Sequence, residues 1–247
     1  MKVAAVVQAR MGSTRLPGKT LELINGKPMI QVLVERLKKA KMLDLIIIAT
    51  TTKEEDKPIL RLAKRLGVDT FAGSESDVLD RHVKAAKKFK MKIIVRVPGD
   101  NPLVDPHYLD ELIKLHIDSN ADYSFSESGE GLINGMGAEV VNFSALQNIA
   151  KLSKKKSERE HVTLYIIKNS ENFNVKSLKV KLRRPNYRVT VDTKEDLKLV
   201  RKIFHKLPNP SFEEVIKLLD ENPDLVKINS HIKQKLGKIL LKPLDNK

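Results

Sequence analysis

Short apolar runs alternating with amphipathic stretches constrain this chain more than any other feature. Val3–Val7, Leu45–Ala49 and Ile93–Val95, the last at the heart of a strand over Lys92–Val97, are each too short to span a membrane. They are also too uniformly apolar to have a wet face, so each reads as a strand covered on both sides. Between the first two, Met29, Ile30, Leu33, Val34 and Leu37 recur at helical spacing, and Pro28 suits a first turn. Pro58 to Leu66 reads as a second helix closed by Gly67, and residues 68–71 as a short strand. Ser74, with Asp77 three residues on, reads as a capping box opening a third helix. Asp105-Pro106 opens a fourth that runs to about Asn120. Strands alternating with helices in this way imply right-handed βαβ units. The expected fold is α/β, with a mixed, mostly parallel sheet flanked by helices on both faces.

From Ala121 the pattern changes. Tyr123–Ser126 and Gly137–Asn142 are short strand candidates around the glycine-rich stretch Gly129–Gly137. Ser144–Leu152 and Glu158–Asn169 read as helices, and 175–182 as extended. Tyr187–Val191 reads as a last strand that delivers Asp192. Thr193 with Asp196, and Ser211 with Glu214, open two further helices. The expected organisation is a main domain over 1–210, with a distinct subregion at about 121–185, followed by a basic helical extension over 211–247.

The 247 residues are 41% hydrophobic, enough for a sizeable core. With no cysteine there is no disulfide framework, thiolate metal site or cysteine nucleophile. The formal charge of +15 could suit nucleic acid, but aromatics are only 4% and tryptophan is absent, so base-stacking platforms are scarce. The lysines are spread over helix faces, and the reading is a solvated basic surface that favours anionic substrates. The first apolar run is broken by Gln8 and Arg10, too early for a signal peptide. A cytoplasmic protein without membrane attachment is expected.

Ligands of such sheets bind at the carboxyl ends of the strands. The first run empties into residues 8–19, a loop with Gly12, Gly18 and Pro17, the hydroxyls of Ser13 and Thr14, and the cations Arg10, Arg15 and Lys19. Exposed N–H groups and cations together suit a polyanion such as a nucleotide triphosphate. Gly18-Lys19-Thr20 matches the second half of a P-loop, but five residues rather than four separate the glycines, and Gly26-Lys27-Pro28 delays the helix. A cationic surface turn is the plainer alternative for the loop alone. Asp100, in Gly-Asp-Asn-Pro, and Asp192 each stand at a predicted strand mouth, where turn and cap roles are common. Taken together on one rim with that loop, they form a pair suited to Mg²⁺, which takes one or two carboxylates plus phosphate oxygens and water. Thr50–Thr52 marks a third mouth. Glu139 alternates with apolar residues and could face solvent or pocket, and His161 is a lone histidine.

These residues resemble the cytidylyltransferases, or CMP-sugar synthetases, most closely the branch of spore-coat polysaccharide biosynthesis protein F. The resemblance rests on Gln8–Lys19, on Gly73–Arg81, on Gly99–Pro106, on Glu160–Thr163 and on Val191–Leu197. It implies a nucleotide-diphospho-sugar transferase (Rossmann-like) fold and transfer of CMP from CTP to the hydroxyl of an acidic sugar. It implies that Arg10 and Lys19 hold the triphosphate, with Gln8, Ala9, Gly12, Ser13, Arg15, Thr50, Ser74 and Asp77 around the nucleotide. Asp100 and Asp192 would hold Mg²⁺, Asp100 as a catalytic residue with Arg10 and Lys19. His161 and Glu139 would face the acceptor, and a homodimer is the family-level expectation. The chain departs from the branch at Asn134–Glu139 and at Leu164, where the branch carries proline. A sugar phosphate or phosphonate acceptor, or a non-catalytic nucleic-acid-binding role, are the rival readings.

Overall fold

The computed structural model describes residues 2–126 and 131–232. The chain begins with β1 (Val3–Gln8), a small hairpin of β2 (Leu23–Ile24) and β3 (Lys27–Pro28), and α1 (Met29–Leu37). It continues through β4 (Leu45–Thr51), α2 (Lys57–Arg65), β5 (Asp69–Gly73), α3 (Val78–Lys88), β6 (Ile93–Pro98) and α4 (Pro106–Asp118). Then come β7 (Tyr123–Phe125), β8 (Glu139–Asn142), α5 (Phe143–Leu152), α6 (Lys156–Glu160), α7 (Leu164–Lys168) and β9 (Val175–Ser177). Helices α8 (Lys194–Lys206), α9 (Phe212–Glu221) and α10 (Pro223–Lys227) follow.

Seven strands form one sheet in the order β5-β4-β1-β6-β8-β7-β9. The first four are parallel, as the alternation requires, while β8 runs antiparallel to both β6 and β7. The chain winds outward from β1 to β4 and β5, then returns to place β6 on the other side of β1. The strand order therefore reverses between β1 and β6, the switch point at which sheets of this kind form a ligand crevice outside the carboxyl ends of the strands. Alternate residues of β1 face opposite layers. Val3, Ala5 and Val7 join Ile30, Leu33 and Ile113 on one face, and Ala4 and Val6 join Leu79, Leu146 and Ile166 on the other.

A third apolar cluster lies beside the sheet. It brings Leu16 and Met29 together with Val191, Leu197, Ile203, Phe212 and Leu219, so α8 and α9 pack beneath the loop that follows β1. The part of the expected extension beyond residue 232 lies outside the described residues, as do Gly129 and its neighbours at 127–130.

Four local expectations change. Tyr187–Val191 is extended but is not a strand of the seven-stranded sheet. It is held by one bridge, Asn134 to Arg188, and by the Val191 N–H donating to the Asp100 carbonyl at 2.8 Å. The expected 158–169 helix breaks into α6 and α7. Between them Val162 adopts φ 45°, an outlier for a β-branched residue, while its side chain is fully buried. Asp77, not Ser74, caps α3: its carboxylate accepts from the Asp80 N–H at 2.9 Å, and Ser74 Oγ accepts from the Asp77 N–H at 3.0 Å. Of the 175–182 stretch, only Val175–Ser177 pairs in the sheet.

Candidate active site

The crevice is pinched at its base by two close approaches. A Cβ on Gly99 would lie 2.6 Å from the Gln8 carbonyl oxygen, so only glycine lets the exits of β1 and β6 touch. Gly135 has φ 101°, and a Cβ there would lie 2.2 Å from the Thr190 nitrogen. That contact seats the 188–191 segment against the loop before β8 and brings Asp192 beside Asp100. Asp56, fully buried, anchors the other wall. It accepts from the Met11 N–H at 2.7 Å, from the Thr51 N–H at 3.2 Å and from the Thr51 hydroxyl, tying the loop to the mouth of β4. Its signal in the sequence is slight, an acid among the charged residues 53–57.

The loop delivers Lys19 through Gly18, at φ 74°, which starts a short 3-10 turn. The Lys19 ammonium donates to Asp100 Oδ2 at 2.7 Å, to the Val191 carbonyl at 2.8 Å and to Asp192 Oδ1 at 3.0 Å. All three of its donors are engaged. Burial pulls its pKa down, but the two carboxylates more than offset that and leave it raised. Asp192 also meets Arg15 at 2.8 Å and Arg188 at 3.3 Å. Burial pushes its carboxyl up, yet Lys19, then Arg15 and Arg188, hold it below the usual carboxylate range. Two acids 92 positions apart in the chain thus share one cation at the crevice floor.

A second polar group lies on the β6–β8 side. Arg96 and Glu139 are directly opposed across the strand pair, and Arg96 donates to Glu139 Oε2 at 2.6 Å. Thr163 also donates to that oxygen at 3.0 Å, and the Tyr123 hydroxyl donates to Oε1 at 3.0 Å. Gln8 Oε1 accepts from Arg96 at 3.5 Å, linking this group to the β1 exit. Arg96 Nε is buried without a partner among the described residues. His161 is half-buried beside Arg96 and Glu139, and burial lowers its pKa, which favours a neutral imidazole.

Other expected residues are spread around the rim. Arg10 is half exposed, with a loose 3.6 Å contact to Glu75, itself paired with Lys53 at 2.7 Å. Ala9 is buried and its N–H donates to the Ala49 carbonyl. Thr50 is fully buried, its hydroxyl without a partner among the described residues. Gly12 faces Glu55 and Glu75, and Ser13 Oγ accepts a long bond from the Leu16 N–H at 3.4 Å. Asp77 is committed elsewhere: besides capping α3, it receives Arg159 Nε at 2.9 Å and Nη2 at 2.5 Å. Arg96, Tyr123, Thr163 and Arg188 were not singled out from the sequence. The alternation Arg188, Thr190, Asp192 was the one available sign for the last of them, since it puts these side chains on one side of an extended segment.

A mostly parallel sheet with a cationic loop and an acid pair at its switch point defines a nucleotide-diphospho-sugar transferase type of α/β fold. Residues 4–238 match the cytidylyltransferase family model, and the chain belongs to that family. It is 38% identical to spore coat polysaccharide biosynthesis protein SpsF of Bacillus subtilis over 89% of this chain and 94% of that protein. Among solved structures, a cytidylyltransferase from Leptospira borgpetersenii superposes with a TM-score of 0.89 at 31% identity, over 95% of this chain and all of the other. CMP:2-keto-3-deoxy-manno-octonic acid synthetase complexed with CTP shares the fold, with a TM-score of 0.65 at 20% identity over 83% of this chain and 99% of that one. Among the described residues, no helix is long and apolar enough to cross a membrane.

Proposed function

We propose that this protein transfers CMP from CTP to a hydroxyl of an acidic sugar, releasing pyrophosphate. The observation that carries the reading is the Lys19 ammonium held between Asp100 and Asp192 at the switch point. The neighbour complexed with CTP supports the donor, and its sugar-acid acceptor supports the acceptor class.

Arg10, Arg15 and Lys19 bind the triphosphate and orient its α-phosphorus toward the acceptor. Gln8, Gly12, Ser13 and Ser74 line the nucleotide side, with the buried Ala9 and Thr50 behind them, while Asp77 supports it through its hold on α6. Lys19 leaves the two carboxylates for phosphate oxygens as the nucleotide arrives. The donor set fits Mg²⁺: two carboxylate oxygens within reach of one cation, with the remaining ligands left to phosphate and water. Asp100 and Asp192 would hold the ion, which would supply neutralisation of charge on the phosphoryl oxygens. Catalysis is then mainly positioning and preorganised charge. On the β6–β8 side, Glu139 and His161 face the acceptor, and Arg96 is neutralised by Glu139.

The test is pyrophosphate release from CTP with a panel of sugar acids, sugar phosphates and phosphonates, with Asp100→Ala and Asp192→Ala as controls. Release with sugar acids, lost in both variants, is expected. Full turnover in both variants would refute the metal role, and preference for a phosphorylated acceptor would refute the sugar-acid assignment.

A further inference from the structure

The Asp192 side chain projects from a backbone that is itself clamped. Asp196, fully buried, uses Oδ2 to accept from the N–H groups of Asp192 and Thr193, each at 3.0 Å, and from Arg188 Nη2 at 3.0 Å. Its Oδ1 accepts from Arg188 Nε at 3.2 Å and from the Asn229 side-chain amide at 2.7 Å. Five donors on one carboxylate exceed what a helix cap needs. A buried ion pair rarely adds net stability over apolar packing, so this pair is better explained by what it holds in place. It holds the peptide nitrogen of Asp192, and Arg188 Nη2 reaches on to Asp192 Oδ2 at 3.3 Å. Arg188 Nη1 is buried with no partner among the described residues, so the guanidinium is placed for this clamp at the expense of its own satisfaction.

Asn229 closes the set from beyond α10. It is 2% exposed and donates both to Asp196 Oδ1 and to the Arg188 carbonyl at 3.2 Å. It thus fastens the segment that follows α8 to both ends of the Arg188–Asp196 pair. The apolar side of the same segment is fixed by Phe212, Val215, Leu219 and Leu225 against Leu197 and Val200.

We infer that Asn229 and Asp196 are positioning residues for Asp192, so that the C-terminal helical segment sets the cation affinity of the nucleotide centre. This rests on the proposal that Asp192 holds the divalent ion. Partners behind a metal ligand typically change affinity 10–100-fold when removed, and Asn229 stands one step further back.

The test titrates Mn²⁺ into the protein with CTP present and follows the bound ion by electron paramagnetic resonance. Asn229→Ala is expected to raise the half-saturating Mn²⁺ about three- to tenfold, with CTP binding in EDTA unchanged. Arg188 still satisfies Asp196 in this variant. Asn229→Ser, which keeps a short donor, is expected to fall between the two and decides the matter if the alanine variant does not fold. A purely structural asparagine would lower the melting temperature and leave the Mn²⁺ midpoint where it was, and that result overturns the inference. Asp192→Ala separates the two levels. If it abolishes the Mn²⁺ site while Asn229→Ala and Asn229→Ser do not move it, only the positioning role fails. If the site survives Asp192→Ala, the metal assignment fails with it.

Discussion

Gly135→Ala is a direct way to ask whether the floor of the crevice depends on one backbone contact. Alanine would have to hold φ near 101°, a conformation that costs a non-glycine residue about 1–3 kcal/mol. Its Cβ would also meet the Thr190 nitrogen at 2.2 Å and the Val189 carbonyl carbon at 2.5 Å. Both are backbone atoms, so no rotamer change relieves them. The 188–191 segment must retreat by roughly 1 Å, and with it the Val191 bond to Asp100 and the carboxylate of Asp192. A displacement of about 1 Å in a catalytic constellation costs about 10²-fold, or roughly 2.7 kcal/mol of transition-state stabilisation. The stability loss should be about 2–3 kcal/mol, a fall of about 5–10 °C in Tm for a chain of this size. Gly26→Ala is the control. Its φ is 78°, and nothing lies within 4 Å of the Cβ it would carry. It therefore bears the conformational cost alone and should keep kcat/KM within about twofold. The assay is CTP-dependent pyrophosphate release with thermal unfolding alongside. Wild-type turnover in folded Gly135→Ala would refute the claim that this contact sets the Asp100–Asp192 spacing.

Lys19→Met should weaken CTP binding by about tenfold or more, the loss of a charge-assisted contact; unchanged calorimetric affinity would count against the loop's role. Glu139→Gln leaves the nearly buried Arg96 facing a neutral partner, and urea unfolding should show a loss of about 3 kcal/mol. A loss under about 1 kcal/mol would mean the pair is solvated. His82 is fully buried, and burial first, then Arg96, brings its pKa down to about 3. The folded state therefore resists protonation that the unfolded chain accepts near pH 6.5, so stability falls as pH drops from 6.5 toward 3. The linkage amounts to about 2 kcal/mol between pH 7 and pH 5. His82→Gln should flatten that slope in unfolding titrations at the two pH values, and an unchanged slope would assign it to other groups.

The core of the fold could be read because its signal is local. Val3–Val7, Leu45–Ala49 and Ile93–Val95 are covered on both faces, and that burial writes itself into each run separately. Lys19 and Asp100 could be located for a related reason, since Lys19 lies in the loop that leaves β1 and Asp100 stands just beyond β6. What escaped depends on contacts between distant segments. The extended character of Tyr187–Val191 was legible, but its pairing outside the sheet, through a bridge to Asn134, depends on a segment some fifty residues earlier and nothing local shows that. The break at Val162 runs against both helical periodicity and residue preference, because buried packing overrides them there. The pairing of Arg96 with Glu139 needs the β6–β8 register. The load on Asp196 needs Asn229, 33 residues later.

The two halves of the crevice meet along a single strand. Asp100 follows β6 on the side proposed for the nucleotide, while Arg96 within β6 faces Glu139 on the other. Strands β7 and β9 join the sheet only through β8 at that seam. A chimera that imports residues 121–177 from a relative therefore has two ionic matches to preserve among the described residues, Glu139 with Arg96 and Arg159 with Asp77, and the recipient's hold on CTP is a fair measure of whether the graft has taken.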